Sequence, residues 1–108
     1  MKLGAGLDPA QNWVHPDARR VTGEAAAMVH GHPARTQNVI GITGTNGKST
    51  VAHLTGELLE AAQYRPAVVG TVEFRLFGRE GTAATHTTPD ATELQRLCRE
   101  NHELGGDS

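Results

Sequence analysis

The chain has 108 residues, 37% of them hydrophobic and 20% charged, which suits one modest soluble domain and is too apolar for a disordered tail. Ten Lys and Arg against twelve Asp and Glu give a formal charge of −2, which argues against a general electrostatic grip on nucleic acid or anionic membrane. The single cysteine, Cys98, excludes an internal disulfide and a Cys-rich zinc module, and no apolar run reaches a signal h-region or the about 20 residues of a membrane span, so the expectation is a soluble, cytoplasmic protein.

Residues 1–15 show no sustained periodicity and are expected to be irregular. Pro16 then sits where a helix start tolerates proline, and Val21, Ala25, Met28 and Val29 follow helical spacing. The spacing predicts a helix from about Asp17 to His30, ended by Gly31 and kept from resuming by Pro33. The polar stretch 31–38 reads as a linker. From Asn38 the pattern changes: Val39-Ile40-Gly41-Ile42-Thr43 is a β-branched run of the kind that forms a buried strand. Gly44-Thr45-Asn46-Gly47 is a tight loop by composition.

After that loop, Val51, Leu54, Leu58, Leu59 and Ala62 fall on one face of a helix from about Lys48 to Gln63, which Arg65-Pro66 ends. Residues 67–71 read as a second buried strand, 72–77 as its extended continuation and 78–88 as a loop. A last helix is expected from Pro89, with Thr88 as N-cap, Asp90 and Glu93 in its first turn, and an inner face of Ala91, Leu94, Leu97 and Cys98. The tail 104–108 is polar and expected to fray. Only Trp13, Tyr64, Phe74 and Phe77 are aromatic, so the core must lean on aliphatic side chains, near the stability margin of a domain this size.

Strand, glycine loop, helix and strand make a βαβ unit. The predicted class is therefore α/β: the start of a P-loop-type parallel-sheet ATPase domain over 38–108, preceded by a linker helix within 1–37. Two or three parallel strands do not cover their own faces and edges, so the chain is expected to be the opening of a larger domain.

The chemistry centres on Gly44-Thr45-Asn46-Gly47-Lys48-Ser49-Thr50. The first N–H groups of a helix are unpaired and its dipole favours negative charge. Glycines let the backbone curl around an anion, Lys48 can reach outer phosphates as a point charge, and the Ser49 hydroxyl can ligate Mg²⁺. This is the pattern of a nucleoside-triphosphate loop. The usual spacing needs glycine at position 42, where this chain has Ile42; its glycines fall instead at Gly41, Gly44 and Gly47. The competing reading is a turn that merely joins strand to helix. Against it stands Lys48, one of only two lysines in an arginine-rich chain.

The segment from Gly41 to Thr50 resembles the ATP-binding loop of the Mur ligases, the ATP-dependent amide ligases of peptidoglycan synthesis, which use this three-spaced glycine variant. Folylpolyglutamate synthases are related but generally carry glycine where this chain has Ser49. His86-Thr87-Thr88-Pro89-Asp90, with Glu93-Leu94-Gln95, is similar to the tripeptide-synthetase branch, as are Asp17-Ala18-Arg19-Arg20 and Gly31-His32-Pro33 upstream. The resemblance covers roughly residues 14–100. It implies a vestige of a UDP-binding domain over 1–37 and part of the central ATP-binding domain over 38–108. It also implies an activity: ATP phosphorylates the carboxylate of UDP-N-acetylmuramoyl-L-alanyl-D-glutamate, and an amino acid then displaces phosphate. By the same resemblance, residues 44–50 bind the nucleotide, Ser49 (with Thr50) serves the metal, and Thr87 and Thr88 meet the UDP-muramoyl substrate; His86, next to these threonines, is a further substrate-binding candidate, with a role outside the site as its even alternative. No residue is assigned a catalytic role.

The later magnesium-binding glutamate and the carbamylated lysine of the family have no counterpart in this sequence, so the expectation is a fragment that is inactive alone. The alternatives are a fragment of another Mur-type or polyglutamate-type ligase, or a small nucleotide-binding module without ligase chemistry. Other polar candidates have plainer readings. His32 reads as a loop residue, His53 and Glu57 (i, i+4) as a solvated pair before a metal pair, Arg19-Arg20 as a solvated face, and Cys98 as core.

Overall fold

The computed structural model describes residues 2–3, 13–83 and 89–108. The N-terminal stretch, expected to be irregular, carries a short ladder: β1 (Lys2–Leu3) pairs antiparallel with β2 (Trp13–Val14). Helix α1 then runs Ala18–Val29, with the Asp17 carboxylate accepting from the Arg20 N–H as an N-cap should. Gly31 takes φ +74°, the left-handed conformation that ends helices, and Pro33–Thr36 forms a 3₁₀ turn within the expected linker.

Helix α2 spans Lys48–Ala61 and begins directly after the glycine loop. Its packing face is not the one its periodicity predicts. Gly56 is buried, and its Cα lies so close to β3 (Val68–Val69) that a β-carbon there would stand 2.7 Å from Val68 Cγ2. Val51, Leu54 and Leu58 are 49%, 53% and 70% exposed. The missing side chain at Gly56 lets the helix approach the sheet on its small-residue side, which turns the leucine side outward.

The sheet also departs from the expected βαβ arrangement. The chain does not continue straight through 72–77. It reverses after Gly70, whose N–H donates to Glu73 O at 3.1 Å, and β4 (Glu73–Arg75) returns antiparallel to β3 with Val68 opposite Arg75 and Val69 opposite Phe74. Strand β5 (Thr82–Ala83), inside the expected 78–88 loop, adds antiparallel to β4. Residues 39–43 form no strand, and Val39 and Ile40 are 67% and 55% exposed. A β-branched run becomes a strand only when a neighbour pairs its backbone, and among the described residues no backbone group of 39–43 has a hydrogen-bond partner. Both described sheets are thus antiparallel, and the described residues form an α/β arrangement with three α-helices.

Helix α3 covers Ala91–Glu103 and packs against α1 and the 3₁₀ turn. Its N-cap is Asp90, whose carboxylate accepts from the Glu93 N–H at 2.8 Å, two residues later than expected. Asp90 and Glu93 have capping-box spacing, which outcompetes a start at Pro89; Thr88 lies outside the described residues. Leu97 is 3% exposed and Cys98 half-buried, whereas Leu94 stays exposed. The buried core comprises Ala18, Ala26, Val68, Leu76 and Leu97.

The tail is ordered rather than frayed. Its backbone groups bond to two distant segments: Asn38 N–H to Asp107 O (2.8 Å), Asp107 N–H to Arg65 O (3.0 Å) and Ala67 N–H to Ser108 O (2.7 Å). Polar composition suggested fraying, but glycine, aspartate and serine are also the residues that leave a backbone most accessible to pairing.

Candidate functional site

The loop 44–47 stands exposed ahead of α2. Gly44 takes φ +149° and Gly47 φ +77°, conformations that side chains rarely adopt, and this is the physical need behind both glycines. Gly47 is the N-cap of α2 and offers no side-chain acceptor. The first backbone bond of the helix is Val51 N–H to Gly47 O, 3.0 Å. The N–H groups of Lys48, Ser49 and Thr50 therefore have no partner among the described residues. A cap of Ser, Thr, Asp or Asn would have consumed one of these donors; glycine leaves them for an anion.

Lys48 turns back onto the loop, its ammonium donating to Gly44 O at 2.8 Å. The cation of the loop is thus held against the loop's own backbone. Ser49 is half-buried at the start of the helix, while Thr45, Asn46 and Thr50 are exposed. Free N–H donors, a positive charge and a hydroxyl are a donor set that fits a polyphosphate and a hard cation.

Behind the loop lies a cleft of about 240 Å³ whose lining includes Ile42, Lys48, Ser49, Val69, Thr71 and Pro89. His86, Thr87 and Thr88 lie outside the described residues. Pro89, which follows them directly, reaches the same cleft as Lys48 and Ser49.

The lesser candidates sort cleanly. His53 Nε2 faces Glu73 Oε1 at 3.7 Å and Glu57 is exposed, so the i, i+4 pair does not form. No group of three or more His, Cys, Asp or Glu placed to hold a metal occurs among the described residues. His32 is a loop residue with φ +52° before the 3₁₀ turn. Arg20 makes a surface pair with Glu24, 3.4 Å. Burial pushes the Cys98 thiol up, which disfavours the reactive thiolate.

Sequence reasoning passed over Asn101, the most deeply buried polar side chain among the described residues at 1% exposure. A signal was present: Asn101 stands four residues after Leu97 and so continues the inner face of α3.

Among known families, the one described as Mur ligase middle domain matches residues 42–107. The UDP-N-acetylmuramoyl-L-alanyl-D-glutamate–2,6-diaminopimelate ligase of Synechocystis is 43% identical over 90 residues, 83% of this chain and 18% of the relative. The ligase of the same name from Streptomyces coelicolor is 45% identical over 89 residues, 82% of this chain and 17% of the relative. A UDP-N-acetylmuramyl-tripeptide synthetase of Roseiflexus is 40% identical over 91 residues, again 83% and 18%. The chain thus spans less than a fifth of the length of these relatives. No helix among the described residues is long and apolar enough to cross a membrane.

Proposed function

The chain belongs to the Mur ligase family through its middle domain, and on that premise we propose that it carries the ATP-binding part of an amide ligase extending UDP-N-acetylmuramoyl-L-alanyl-D-glutamate in peptidoglycan synthesis. The observation that carries this reading is the glycine-capped start of α2, with three N–H groups unpartnered among the described residues and the Lys48 ammonium held on the loop at Gly44 O. In this reading residues 44–47 wrap the phosphates, and Lys48 exchanges the Gly44 carbonyl for a phosphate oxygen. Ser49, with Thr50, supplies hydroxyl ligands to a nucleotide-bound Mg²⁺, whose chemistry is to neutralise charge on the phosphates.

ATP is needed because a carboxylate is a poor electrophile. Transfer of the terminal phosphoryl group to it forms an acyl phosphate, and the amine of the incoming amino acid expels phosphate as the amide bond forms. Phosphoryl transfer asks a protein mainly for positioning and charge stabilisation, and those are the properties of this loop. His86, Thr87 and Thr88 are assigned to the UDP-muramoyl substrate, a reading supported by Pro89 lining the cleft beside Ser49. The domain boundary near residue 38 belongs to the same proposal, as does a P-loop-type parallel sheet built on 39–43 and 67–71. The open edge of β3 and the unpaired backbone of 39–43 support that sheet.

The test is a titration of ATP with Mg²⁺ against the chain and its Lys48→Ala variant. A charge-assisted hydrogen bond contributes about 1.5–3 kcal/mol, so the variant should bind roughly 10- to 100-fold more weakly. Equal binding by both would remove the loop as the nucleotide site and leave the chain without its assigned role.

A further inference from the structure

Of Asn12, Asn38, Asn46 and Asn101, only Asn46 is followed by glycine. Its side chain is exposed and makes no hydrogen bond among the described residues. The peptide joining Asn46 to Gly47 is equally free, since neither its C=O nor its N–H has a partner among the described residues. Space around Gly47 is open: a β-carbon built there would meet nothing within 4 Å. The other described asparagines differ. Asn38 is exposed but precedes the β-branched Val39, and Asn101 is 1% exposed within α3.

An asparagine side chain places an electrophilic carbonyl within five-membered-ring reach of the next backbone nitrogen. Ring closure is ordinarily opposed by the next residue's side chain and by a hydrogen bond on its N–H, and Gly47 has neither. We propose that Asn46-Gly47 is a self-modifying site, at which the Gly47 nitrogen attacks Asn46 Cγ and the side-chain amide leaves as ammonia. The new N–Cγ bond closes a succinimide as the Cγ–Nδ2 bond breaks, and the Gly47 proton departs with the ammonia. Water then adds to either ring carbonyl and breaks its bond to nitrogen, leaving an aspartyl or an isoaspartyl residue. Asparagine and water thus become a carboxylate and ammonium, with no oxidant or reductant.

The product lies where a new charge matters. Either form puts a carboxylate directly ahead of the Gly47 cap, at the positive end of the α2 dipole, where the N–H groups of Lys48, Ser49 and Thr50 lack partners among the described residues. An internal anion there competes for the donors of the loop and repels a phosphate, and the isoaspartyl form also lengthens the loop backbone. This effect on ATP rests on the nucleotide-loop reading; the modification itself does not.

The experiment incubates the full chain in mildly alkaline buffer made with heavy-oxygen water. Mass spectrometry follows the peptides that contain Asn38, Asn46 and Asn101, and fragmentation distinguishes isoaspartyl from aspartyl product. Asn46 should lose its amide and gain a heavy oxygen, with isoaspartyl among the products, while Asn38 and Asn101 keep their amides. Loss at Asn46 no faster than at Asn38 overturns the proposal. Conversion without any isoaspartyl product overturns it too, since that is direct hydrolysis without the ring. An amide kept in buffer but lost in urea would show that the fold protects Asn46, and likewise overturns it. The converted chain and an Asn46→Asp variant are then titrated with ATP and Mg²⁺, and both should bind more weakly than fresh chain by on the order of tenfold. Unchanged affinity after full conversion would uphold the modification and count against residues 44–50 as the nucleotide site.

Discussion

Asn101 donates its side-chain amide to Gln37 Oε1 at 2.9 Å, and through that bond α3 holds the segment that leads into the glycine loop. The same amide donates to Ser108 O at 3.2 Å, and Asn101 Oδ1 accepts from the Phe77 N–H at 3.0 Å. Gln37 in turn donates to Pro33 O and Cys98 O, 3.1 and 2.9 Å. One buried residue therefore ties together the helix, the end of the hairpin, the approach to the loop and the tail. In a small domain with few large core side chains, such a network fixes arrangement where packing alone would leave it loose.

Replacing Asn101 by alanine strands the Phe77 N–H and the Gln37 carbonyl in the interior. Each unmade buried bond costs about 1–3 kcal/mol, so Asn101→Ala should lower stability by at least that much in urea unfolding. Gln37→Ala in the same background should add less than it does alone, because its partner is already gone. Full additivity would show that the two side chains do not interact.

Gly106 is buried against this residue, and a β-carbon at position 106 would overlap the Asn101 amide. The overlap is with a side chain held by three bonds, so it cannot simply swing away. Gly106→Ala should therefore lose the tail pairing, read as faster exchange at the Asn38 and Ala67 amides, while α1 keeps its helical signal. Wild-type exchange at both amides would mean that the tail does not depend on that close approach.

The helices were legible because their signals are local. Gly31 marks the end of α1 by a local backbone conformation and apolar spacing marks the helix bodies, whereas the α3 cap falls at Asp90, two residues beyond the expected Thr88. The glycine loop was legible for the same reason, since Gly44 and Gly47 answer a local backbone need. What failed depends on partners far along the chain. Val39–Thr43 has strand composition but no ladder, and composition cannot supply the second strand. The hairpin at Gly70 was invisible because 72–77 is as extended as a straight continuation would be. The tail looked frayed because its stability comes from Arg65, Ala67 and Asn38, none of them near it in sequence. The outward leucines of α2 were missed because Gly56, not the leucine row, sets how the helix meets β3.

The tail should be sensitive to acid. The Arg65 N–H, donating to Asp107 Oδ1 at 2.7 Å, is the main cause holding the Asp107 carboxyl below its ordinary range; burial opposes it, and the Arg65 guanidinium and Ser108 hydroxyl reinforce it. A depressed folded-state pKa contributes stability that is present above the unfolded value, about 3.9 for aspartate, and that is lost as pH falls through the folded value. The Arg65 and Ala67 amide resonances should hold steady from neutrality to about pH 5 and move together at lower pH. Asp107→Asn should abolish that acid transition at Arg65. A transition that survives the substitution would belong to another carboxylate.

The two leucine environments predict opposite responses to substitution. Leu97 is 3% exposed on the buried face of α3, so Leu97→Ala should cost about 2–5 kcal/mol by loss of burial and the cavity it leaves. Leu58, in the row that periodicity assigned to the core, is 70% exposed. Leu58→Gln should then change stability by no more than about 0.5 kcal/mol, as exposed substitutions do. Urea unfolding of both variants at two protein concentrations makes the comparison. A large loss for Leu58→Gln that grows with concentration would mean that copies of the chain bury this face against each other in solution. A large loss independent of concentration would place Leu58 inside the fold and overturn the rotation of α2 that Gly56 imposes.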